Sequence, residues 1–539
     1  DDSLEVLDEL NETLELSGAK LGQNHAQLPL YRAPSLDWAL SGQTGVRFNR
    51  DDAFRRISRS FHAVKDSEYA PPVSLQKTLR KYQRDGYRWL RTLDGYGMGG
   101  ILADDMGLGK TVQVLSYLLA MKQNGQTLPS LIVCPASLVL NWAEECQKFT
   151  PELSCVVVDG DAAHRAELAE SWPAADLVVT SYDLLRRDEA LYEGQEFYAC
   201  ILDEAQAIKN HTTQKYKAVC KVRSRVRFAL TGTPVENRLG ELWSVFSFLM
   251  PGYLPPYKSF CSRFEKPIVQ EEDQTAVRRL NQLTGPFILR RMKSDVLKEL
   301  PPKTENVYRI ELEEEQRKLY LAAVVDAREK LQAAKPEDKM AVFAVLMRLR
   351  EICCDPRLIA DNWEGGSAKL DACAELVSSA VEGGHRILLF SQFTSMLELL
   401  AKRLDAEGIS HFTLQGSTPK PVRAELVRRF NGGEVSVFLI SLRAGGTGLN
   451  LTAADIVIHY DPWWNVAAQN QATDRAYRIG QQNPVQVYKL IAQDTIEEKI
   501  VELQQAKQSL ADTVTGTADG AILSMRPDEL LQLLEGSEP

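Results

Sequence analysis

The sequence predicts an α/β protein with two lobes, each built on a parallel sheet, and with helical protrusions inserted between the two sheets. The chain has 539 residues, which is too long for one ordinary core. Short apolar runs alternate with helical stretches in two separate series, a pattern typical of strands buried on both faces of a parallel sheet. No unit of about 20–50 residues repeats along the chain, which argues against a solenoid.

The apolar runs predict the strands of each lobe. The first series consists of Gly100–Ala103, Leu131–Cys134, Val156–Val158, Leu177–Thr180, Cys200–Asp203 and Arg227–Thr231. The second series consists of Arg386–Ser391, Phe412–Gln415, Val435–Ser441, Ile456–Tyr460 and Val485–Ile491. The segment between them is mainly helical, and we expect the lobes to be joined near Arg290–Lys303, which is basic and contains two prolines.

These patterns predict seven segments. They are 1–70, the end of an upstream domain or an N-terminal extension; 71–235, the first lobe; 236–290, its helical protrusion; 291–309, a linker; 310–365, the helical protrusion of the second lobe; 366–505, the second lobe; and 506–539, a C-terminal helical extension. The chain does not begin with methionine, so we expect it to be a fragment of a longer protein.

The composition is that of an ordinary globular protein, with 44% hydrophobic and 25% charged residues. We find no apolar run of 18 residues and no secretory signal, so we expect a cytoplasmic chain without membrane contact. The nine cysteines and seven histidines lack the spacings of a zinc site, and we interpret the cysteines as buried thiols in a reducing compartment.

A basic stripe precedes the first predicted strand. Its members recur at three- and four-residue spacing and share one helical face; they are Lys77, Lys81, Arg84, Arg88 and Arg91. The net charge of −10 does not exclude nucleic acid, because a binding footprint is a local patch. The stripe fits either a solvated surface helix or a contact with nucleic acid.

A glycine-rich loop follows the first predicted strand and precedes a helix. It contains Gly107-Leu108-Gly109-Lys110-Thr111. In such a loop the backbone N–H groups and the helix N-terminus surround phosphate oxygens, a lysine reaches the β- and γ-phosphates, and a threonine hydroxyl holds Mg²⁺. Asp104 stands where the full phosphate-loop pattern has a glycine.

Two adjacent carboxylates, Asp203 and Glu204, end another predicted strand. Nucleotide hydrolysis needs one carboxylate for Mg²⁺ and one for the attacking water, which assigns Asp203 to the metal and Glu204 to the water. The alternative is a solvated acidic turn. The order along the chain, with Lys110 upstream on a similar strand–loop–helix unit, favours the hydrolytic interpretation.

A pair of arginines, Arg475 and Arg478, lies in the second lobe at a spacing of three residues. On a helix such a pair points in one direction and provides positive charge for the transition state of phosphoryl transfer. The alternative is an arginine pair that forms salt bridges with Asp474 and its neighbours.

In this order, the segments resemble the Swi/Snf family of DNA-dependent ATPases in helicase superfamily two, particularly its bacterial members. The resemblance extends from Leu79 to about Thr495 and implies two RecA-like lobes. The motifs that carry it in the first lobe are Leu79–Gln83, Asp104–Thr111, Val133–Leu138, Thr180–Asp183, Asp203–Gln206 and Leu230–Pro234. Those in the second lobe are Leu389–Phe393, Ser441–Asn450 and Gln471–Gln481.

The resemblance also implies individual roles. Residues expected to contact ATP are Gln83, Asp105, Met106, Gly107, Leu108, Gly109, Lys110, Thr111, Gly448, Arg475 and Arg478, with Gln83 at the adenine edge and the two arginines as catalytic fingers. Those expected to contact DNA are Pro135, Ser181, Tyr182, Gln392, Arg443, Asn450 and Trp464, although a core position is the alternative for Trp464. Those expected to couple hydrolysis to movement are Gln206, Thr231, Thr233 and Asp474.

The implied activity is that of an ATP- and Mg²⁺-dependent translocase on double-stranded DNA, acting as a monomeric motor core in the bacterial nucleoid. Remodelling or displacement of protein–DNA complexes is the expected use, with RNA polymerase as one candidate partner. Three alternatives remain open at this point: a strand-separating helicase, a DNA-binding scaffold with a degenerate nucleotide site, and a motor directed at one DNA-bound protein.

Overall fold

The computed structural model describes residues 30–41, 51–62, 64, 67–232, 239–271, 273–333, 338–360, 362–445, 449–463, 466–502, 504, 530–531 and 534. The chain divides into two compact units, Asp1–Val296 and Leu297–Pro539, which we name lobe 1 and lobe 2. The division lies within the predicted joint Arg290–Lys303.

Lobe 1 contains a seven-stranded sheet in which every paired strand is parallel. Its strands are β1 (Gly100–Leu102), β2 (Ser130–Cys134), β3 (Cys155–Val157), β4 (Leu177–Ser181), β5 (Glu196–Asp203), β6 (Arg223–Leu230) and β7 (Ile288–Leu289). Their order in the sheet is β3-β4-β2-β5-β6-β1-β7. Every residue of β2 and β4 is buried, as expected for strands covered by helices on both faces.

The helices of lobe 1 connect these strands and extend beyond them. Their bounds are Ala33–Ser41, Asp52–His62, Lys81–Gly95, Lys110–Gln123, Val139–Phe149, Ala162–Ser171, Tyr182–Arg187, Glu189–Glu193, Gln214–Lys221, Leu239–Leu249, Tyr257–Phe260, Lys266–Gln270, Gln274–Thr284 and Lys293–Val296. Several begin at a short polar side chain that accepts a backbone N–H of the first turn, as Asp161, Thr213 and Asp273 do.

Strand β7 differs from the sequence prediction, which placed residues 236–290 in a helical protrusion. The end of that segment returns to the sheet beside β1, where Ala103 N–H donates to the Leu289 carbonyl at 2.7 Å. Two strand residues are too few to produce an apolar run in the sequence, so β7 has no sequence signal.

Lobe 2 contains a six-stranded sheet that is also parallel throughout. Its strands are β8 (Lys303–Ile310), β9 (Ile387–Ser391), β10 (His411–Leu414), β11 (Val437–Ser441), β12 (Ile456–His459) and β13 (Val485–Ala492), in the order β10-β11-β9-β12-β13-β8. The predicted fold class, with two parallel α/β sheets, is confirmed.

The core of lobe 2 lies on both faces of this sheet. Along β9, Ile387 and Leu389 pack into one cluster and Leu388 and Phe390 into another. Successive side chains of a strand point to opposite faces, so a continuous apolar run fills two cores at once.

Strand β8 corrects the prediction of a linker over residues 291–309. Residues Lys303–Ile310 pair with β13 along their whole length at the edge of the sheet. All of its residues except Ile310 are exposed. An exposed edge strand carries no apolar run, so β8 is not recognisable in the sequence.

The helices of lobe 2 are Glu314–Ala333, Lys339–Cys354, Ala368–Glu382, Thr394–Ala406, Lys420–Asn431, Leu442–Gly445 and Val466–Thr473. The first two form the core of the predicted protrusion, and they pack against Ile496 and Ile500 beyond β13. Leu530 and Leu534, the described buried residues of the predicted C-terminal extension, join the same cluster.

Protonation of His459, at the end of β12, is expected to make lobe 2 less stable in acid. Burial lowers the pKa of this imidazole to about 3, and its Nε2 lies 2.9 Å from the Thr473 hydroxyl. The unfolded chain binds a proton near pH 6.5 and the folded chain does not, so stability falls as the pH decreases from about 6.5 toward 3. We expect a loss of about 2 kcal/mol between pH 7 and pH 5.

Hydrogen exchange in lobe 2 during urea denaturation, at pH 7 and at pH 5, measures this loss in the free energy of unfolding. The difference between pH 7 and pH 5 should be smaller in His459→Gln by about that amount. An equal pH dependence in the two proteins would show that His459 does not titrate in this range.

All nine cysteines are free thiols, and six of them are buried. The prediction of buried thiols is thus confirmed for six cysteines, while Cys155, Cys220 and Cys261 are partly exposed. No helix in the described part of the chain has the length and apolar character needed to cross a membrane.

Candidate functional site

The predicted phosphate loop lies at the carboxyl end of β1. Its backbone turns through Gly107 and Gly109 with φ angles of 80° and 77°, which L side chains rarely adopt. Helix Lys110–Gln123 begins directly after Gly109. Lys110 Nζ donates to the carbonyls of Asp104 at 2.6 Å and Asp105 at 3.3 Å, so the ammonium group lies across the loop. Loop N–H groups, a helix N-terminus and an ammonium group together make a phosphate-binding geometry.

The predicted adenine residue, Gln83, lies against this loop. Its Nε2 donates to the Leu108 carbonyl at 3.0 Å, and its Oε1 accepts the Arg80 N–H at 2.9 Å. The neighbouring Tyr82 hydroxyl donates to the same Leu108 carbonyl at 2.9 Å, and burial raises the pKa of Tyr82 to about 12. The helix that carries Gln83 is therefore hydrogen-bonded directly to the phosphate loop.

The two predicted hydrolytic carboxylates lie at the carboxyl end of β5, where Asp203 is the last strand residue and Glu204 follows it. Strand β5 is separated from β1 by β6 alone. The carboxyl ends of parallel strands meet at one edge of a sheet, so these side chains share that edge with the phosphate loop. Asp203 accepts the Trp142 indole N–H at 2.8 Å and the Glu204 N–H at 2.9 Å. Burial, and then the charge of Glu204, raise the pKa of Asp203 to about 7.

The residues present fit a magnesium ion. The described residues contain no group of three His, Cys, Asp or Glu side chains able to hold a metal alone. Mg²⁺ in nucleotide sites takes one or two protein oxygens and completes its shell with phosphates and water. Thr111, in the first turn of its helix, and Asp203 offer such oxygens. Burial raises the pKa of Asp203, and a divalent cation bound beside it would lower that pKa again.

Glu204 is the start of a hydrogen-bonded chain that ends beyond β6. Glu204 has a φ of 50°, a strained left-handed backbone, and such strain is frequent at functional sites. Its Oε2 accepts from Gln206 Nε2 at 2.8 Å, and Gln206 Oε1 accepts from the Thr231 hydroxyl at 3.2 Å. The structure thus brings together two predicted coupling residues and the predicted hydrolytic carboxylate. Thr233, another predicted coupling residue, lies outside the described residues.

Two predicted DNA contacts of lobe 1 are buried. Ser181 accepts the Leu184 N–H at 3.2 Å and caps a helix, while the Tyr182 hydroxyl donates to the Asp203 carbonyl at 2.9 Å. Each of these two residues is 3% exposed. Both side chains are thus engaged inside lobe 1, and a DNA contact by Ser181 or Tyr182 stays a prediction. The third predicted residue, Pro135, is partly exposed.

In lobe 2, Gln392 and Asn450 are the predicted DNA contacts whose side chains are described. Gln392 follows β9, and its backbone N–H donates to Asp461 at 3.2 Å. Asp461 forms a fully buried ion pair with Arg350 at 3.3 Å. Asn450 is exposed. Trp464, Gly448 and the side chain of Arg443 lie outside the described residues.

The predicted arginine pair lies beyond a helix, which corrects the expectation that both residues lie on one. Helix Val466–Thr473 ends before Asp474, because Arg475 N–H donates to the Ala472 carbonyl at 3.2 Å and the chain continues in turns. Arg475 is 6% exposed, and Arg478 donates to the Leu449 carbonyl at 3.4 Å.

The basic stripe is exposed in part. Lys77, Lys81 and Arg84 are exposed, and Lys77 lies in a turn before helix Lys81–Gly95. Arg88 pairs with Asp85 at 3.3 Å, and the Arg91 guanidinium lies 4.8 Å from the Tyr69 ring centroid. Lys77, Lys81 and Arg84 thus present positive charge to solvent, while Arg88 and Arg91 contact other residues of lobe 1.

The sequence interpretation missed three residues that support the site: Trp142, Arg291 and Arg350. Trp142 binds Asp203 across 61 residues of sequence, and Arg291 binds Asp104 across 187. Neither spacing produces a local pattern. The only available signal for Arg291 was Asp104 itself, an acidic residue at a position that usually needs glycine.

Residues 82–358 match the family model described as the SNF2-related domain, and residues 368–480 match the helicase conserved C-terminal domain. The uncharacterized ATP-dependent helicase MG018 of Mycoplasma genitalium is 40% identical over 463 residues, covering 85% of this chain and 44% of that protein. The Bacillus subtilis protein named "putative ATP-dependent helicase/translocase YwqA" is 39% identical over 505 residues, covering 92% of this chain and 55% of that protein.

Among solved structures, the SWI2/SNF2 ATPase core of Sulfolobus solfataricus in complex with dsDNA is 36% identical and covers 84% of this chain and 96% of that one, with a TM-score of 0.43. The chain spans about half the length of the curated relatives named above. The SNF2-related model alone matches more than half of the chain, and the helicase C-terminal model follows it in lobe 2. The chain therefore belongs to the SNF2-related family, and it carries the SNF2-related and helicase C-terminal matches on a fold with two parallel sheets.

Proposed function

We propose that this chain is an ATP-dependent translocase on double-stranded DNA, in which hydrolysis at the lobe 1 site drives movement along the duplex. The observation that carries the proposal is the hydrogen-bonded chain Glu204–Gln206–Thr231, because it joins the hydrolytic carboxylate to the segment that follows β6. A binding scaffold with a degenerate nucleotide site has no use for such a connection. The name of the Bacillus subtilis relative, helicase/translocase, supports the same class of activity.

In the proposed cycle, Lys110 neutralises charge on the β- and γ-phosphates and Glu204 orients a water for in-line attack on the γ-phosphate. Mg²⁺, held by Thr111 and Asp203, would stabilise charge on the phosphate oxygens. Arg475 and Arg478 of lobe 2 add positive charge in the transition state, so hydrolysis depends on both lobes. When the γ-phosphate leaves, the contacts of Glu204 change, and Gln206 passes that change toward Thr231.

The proposed DNA interface is made mainly of contacts to phosphates. Its members are Pro135, Gln392, Arg443, Asn450 and Trp464, with the exposed cations Lys77, Lys81 and Arg84 as a further patch. Contacts of this kind position a duplex without reading its sequence, and they weaken steeply as salt increases. We therefore expect DNA-stimulated turnover to depend strongly on salt and weakly on DNA sequence.

ATP turnover measured side by side with duplex DNA, single-stranded DNA and RNA tests this proposal. Turnover should rise most with duplex DNA. The same protein should displace the third strand of a triplex and should leave a forked duplex paired, because a translocase needs no strand separation. A preference for RNA would overturn the proposal, and efficient unwinding of the fork would replace translocation with a helicase activity.

We extend the proposal to displacement of proteins bound to the duplex. Movement along the phosphates brings a motor against any bound protein, whatever its sequence preference. A fluorescent repressor bound to its operator on linear DNA should dissociate faster with ATP than with a non-hydrolysable analogue. Equal rates would remove this extension and leave the translocase proposal untouched. RNA polymerase as the target stays a prediction from the sequence.

A further inference from the structure

The acidic residue at the start of the phosphate loop has a specific partner. Asp104 is completely buried, and its carboxylate receives two bonds from the guanidinium of Arg291, one of them Nε to Oδ1 at 2.7 Å. Gln113 Nε2, from the helix that follows the loop, donates to the same carboxylate at 3.2 Å. A two-pronged arginine–carboxylate pair holds its members in one geometry, which a single point charge does not.

Arg291 also contacts the two other parts of the nucleotide site. Its guanidinium donates to the Tyr82 carbonyl and to Gln113 Oε1, the second at 2.8 Å, and it lies 5.2 Å from the Tyr82 ring centroid. Tyr82 adjoins Gln83, the predicted adenine residue. The Arg291 side chain thus connects Asp104, helix Lys110–Gln123 and helix Lys81–Gly95, which carries Gln83.

Gly86 makes room for this cluster. A Cβ atom at Gly86 would overlap Gln113 Oε1 and would lie 2.8 Å from an Arg291 nitrogen. Gly86 lies inside helix Lys81–Gly95, where glycine is unfavourable for the helix itself. The close approach of the helix to Gln113 and Arg291 therefore requires a residue without a side chain.

The backbone around Arg291 is tied to the loop as well. The Asp105 N–H donates to the Arg291 carbonyl at 3.0 Å, and the Lys293 N–H donates to Asp105 Oδ2 at 2.9 Å. Residues 289–293 thus follow the loop from β1 through its first turn. Any shift of the phosphate loop must move this segment or break its bonds.

We propose that Arg291 is a positioning residue for nucleotide binding, which holds the phosphate loop and the Gln83 helix in one register without touching the nucleotide. The inference rests on the proposed nucleotide site. Arg291 acts through Asp104, Gln113 and Tyr82. Its loss therefore weakens ATP binding and reduces the selectivity for ATP over GTP. The chemical step itself uses other groups and changes little.

The test compares Arg291→Gln, Arg291→Lys and Gly86→Ala. Binding of a fluorescent ATP analogue without DNA, and KM and kcat for ATP and GTP with duplex DNA, are measured. Arg291→Gln should raise KM for ATP about tenfold, because a buried charged hydrogen-bond network is lost, and should change kcat by less than about threefold. Arg291→Lys should recover part of the affinity, since it keeps the charge and loses the planar fork. Gly86→Ala should raise KM by displacing Gln113, even if Arg291→Gln does not fold.

Asp104→Asn and the double variant Asp104→Asn/Arg291→Gln complete a double-mutant cycle, in which the affinity for ATP is compared. If the pair acts as a unit, the double variant should bind ATP no more weakly than Arg291→Gln alone. Additive losses would show that the two residues act separately and would overturn the proposal.

Arg165→Gln is the matched control. Arg165 forms a comparable buried pair with Asp188 in the same lobe, with bonds of 2.6 and 2.9 Å, and neither residue belongs to the nucleotide site. Arg165→Gln should lower thermal stability and leave KM unchanged. An equal rise of KM in Arg165→Gln and Arg291→Gln, or no rise in Arg291→Gln and Gly86→Ala, would reject the positioning role. Lys110→Ala separates the two proposals: if it binds ATP as tightly as the unchanged chain, the nucleotide site itself is wrong.

Discussion

Replacing Glu204 by glutamine is expected to lower ATP turnover by roughly a thousandfold, while ATP affinity stays within about twofold of that of the unchanged chain. Glutamine keeps the size of the side chain and removes the charge that orients and polarises the attacking water. The site should therefore still bind ATP and fail at the chemical step.

The surroundings of Glu204 make this effect specific. Its backbone has a φ of 50°, and its carboxylate accepts from Gln206 at 2.8 Å. A strained residue held by a neighbour in this way keeps its side chain in a defined direction. The amide group that the substitution introduces offers its own N–H groups to Gln206, so the connection to Thr231 should also loosen.

Turnover with saturating duplex DNA, together with binding of a fluorescent ATP analogue, measures the two effects separately. Glu170→Gln is the control, because it makes the same change at an exposed glutamate of lobe 1 and should leave turnover unchanged. Turnover of Glu204→Gln within about threefold of the unchanged chain would assign the water to another group.

Replacing Lys369 by methionine is expected to destabilise lobe 2 by about 3–5 kcal/mol. Lys369 Nζ binds Glu497, and both side chains are completely buried. Glu497 also accepts the Ala492 N–H at 2.9 Å, at the end of β13. Methionine fills the space of the lysine stem and leaves a buried carboxylate without its cation, which is the costly way to break such a pair.

Urea denaturation, followed by hydrogen exchange in helix Ala368–Glu382, measures this loss without mixing in the stability of lobe 1. Lys330→Met is the matched control. Lys330 pairs with Asp326 at 2.8 Å, but the two side chains are 54% and 43% exposed, so the expected loss is less than about 1 kcal/mol. The double variant Lys369→Met/Glu497→Met should be more stable than Lys369→Met alone, because no charge is then left buried. Equal losses in Lys369→Met and Lys330→Met would contradict the argument.

The strands of this protein were predictable where both of their faces are buried. Strands β2, β4, β9 and β11 are short apolar runs, and every one of their residues is buried. Strand β8 was not predictable, because it lies at a sheet edge and its apolar residues are few. Most of its side chains face solvent, so folding does not require apolar residues at these positions.

The candidate site was predictable where its chemistry is local. Gly107, Gly109 and Lys110 lie within one turn of backbone, so their spacing alone indicates a phosphate loop. Asp203 and Glu204 are adjacent at the end of a strand and indicate a carboxylate pair in the same way. The buried roles of Ser181 and Tyr182 had no such signal, since they depend on which side chains the fold places next to β4 and β5.

By itself, the sequence determined the two-sheet fold, the order of the motifs and the glycine-rich loop with its lysine, because each of these depends on residues close together in the chain. Only the tertiary structure decided that Asp104 meets Arg291, that Asp203 meets Trp142 and that Gln206 connects Glu204 to Thr231. A buried polar group must find a hydrogen-bonding partner, and the fold selects that partner by proximity in space rather than by distance along the chain.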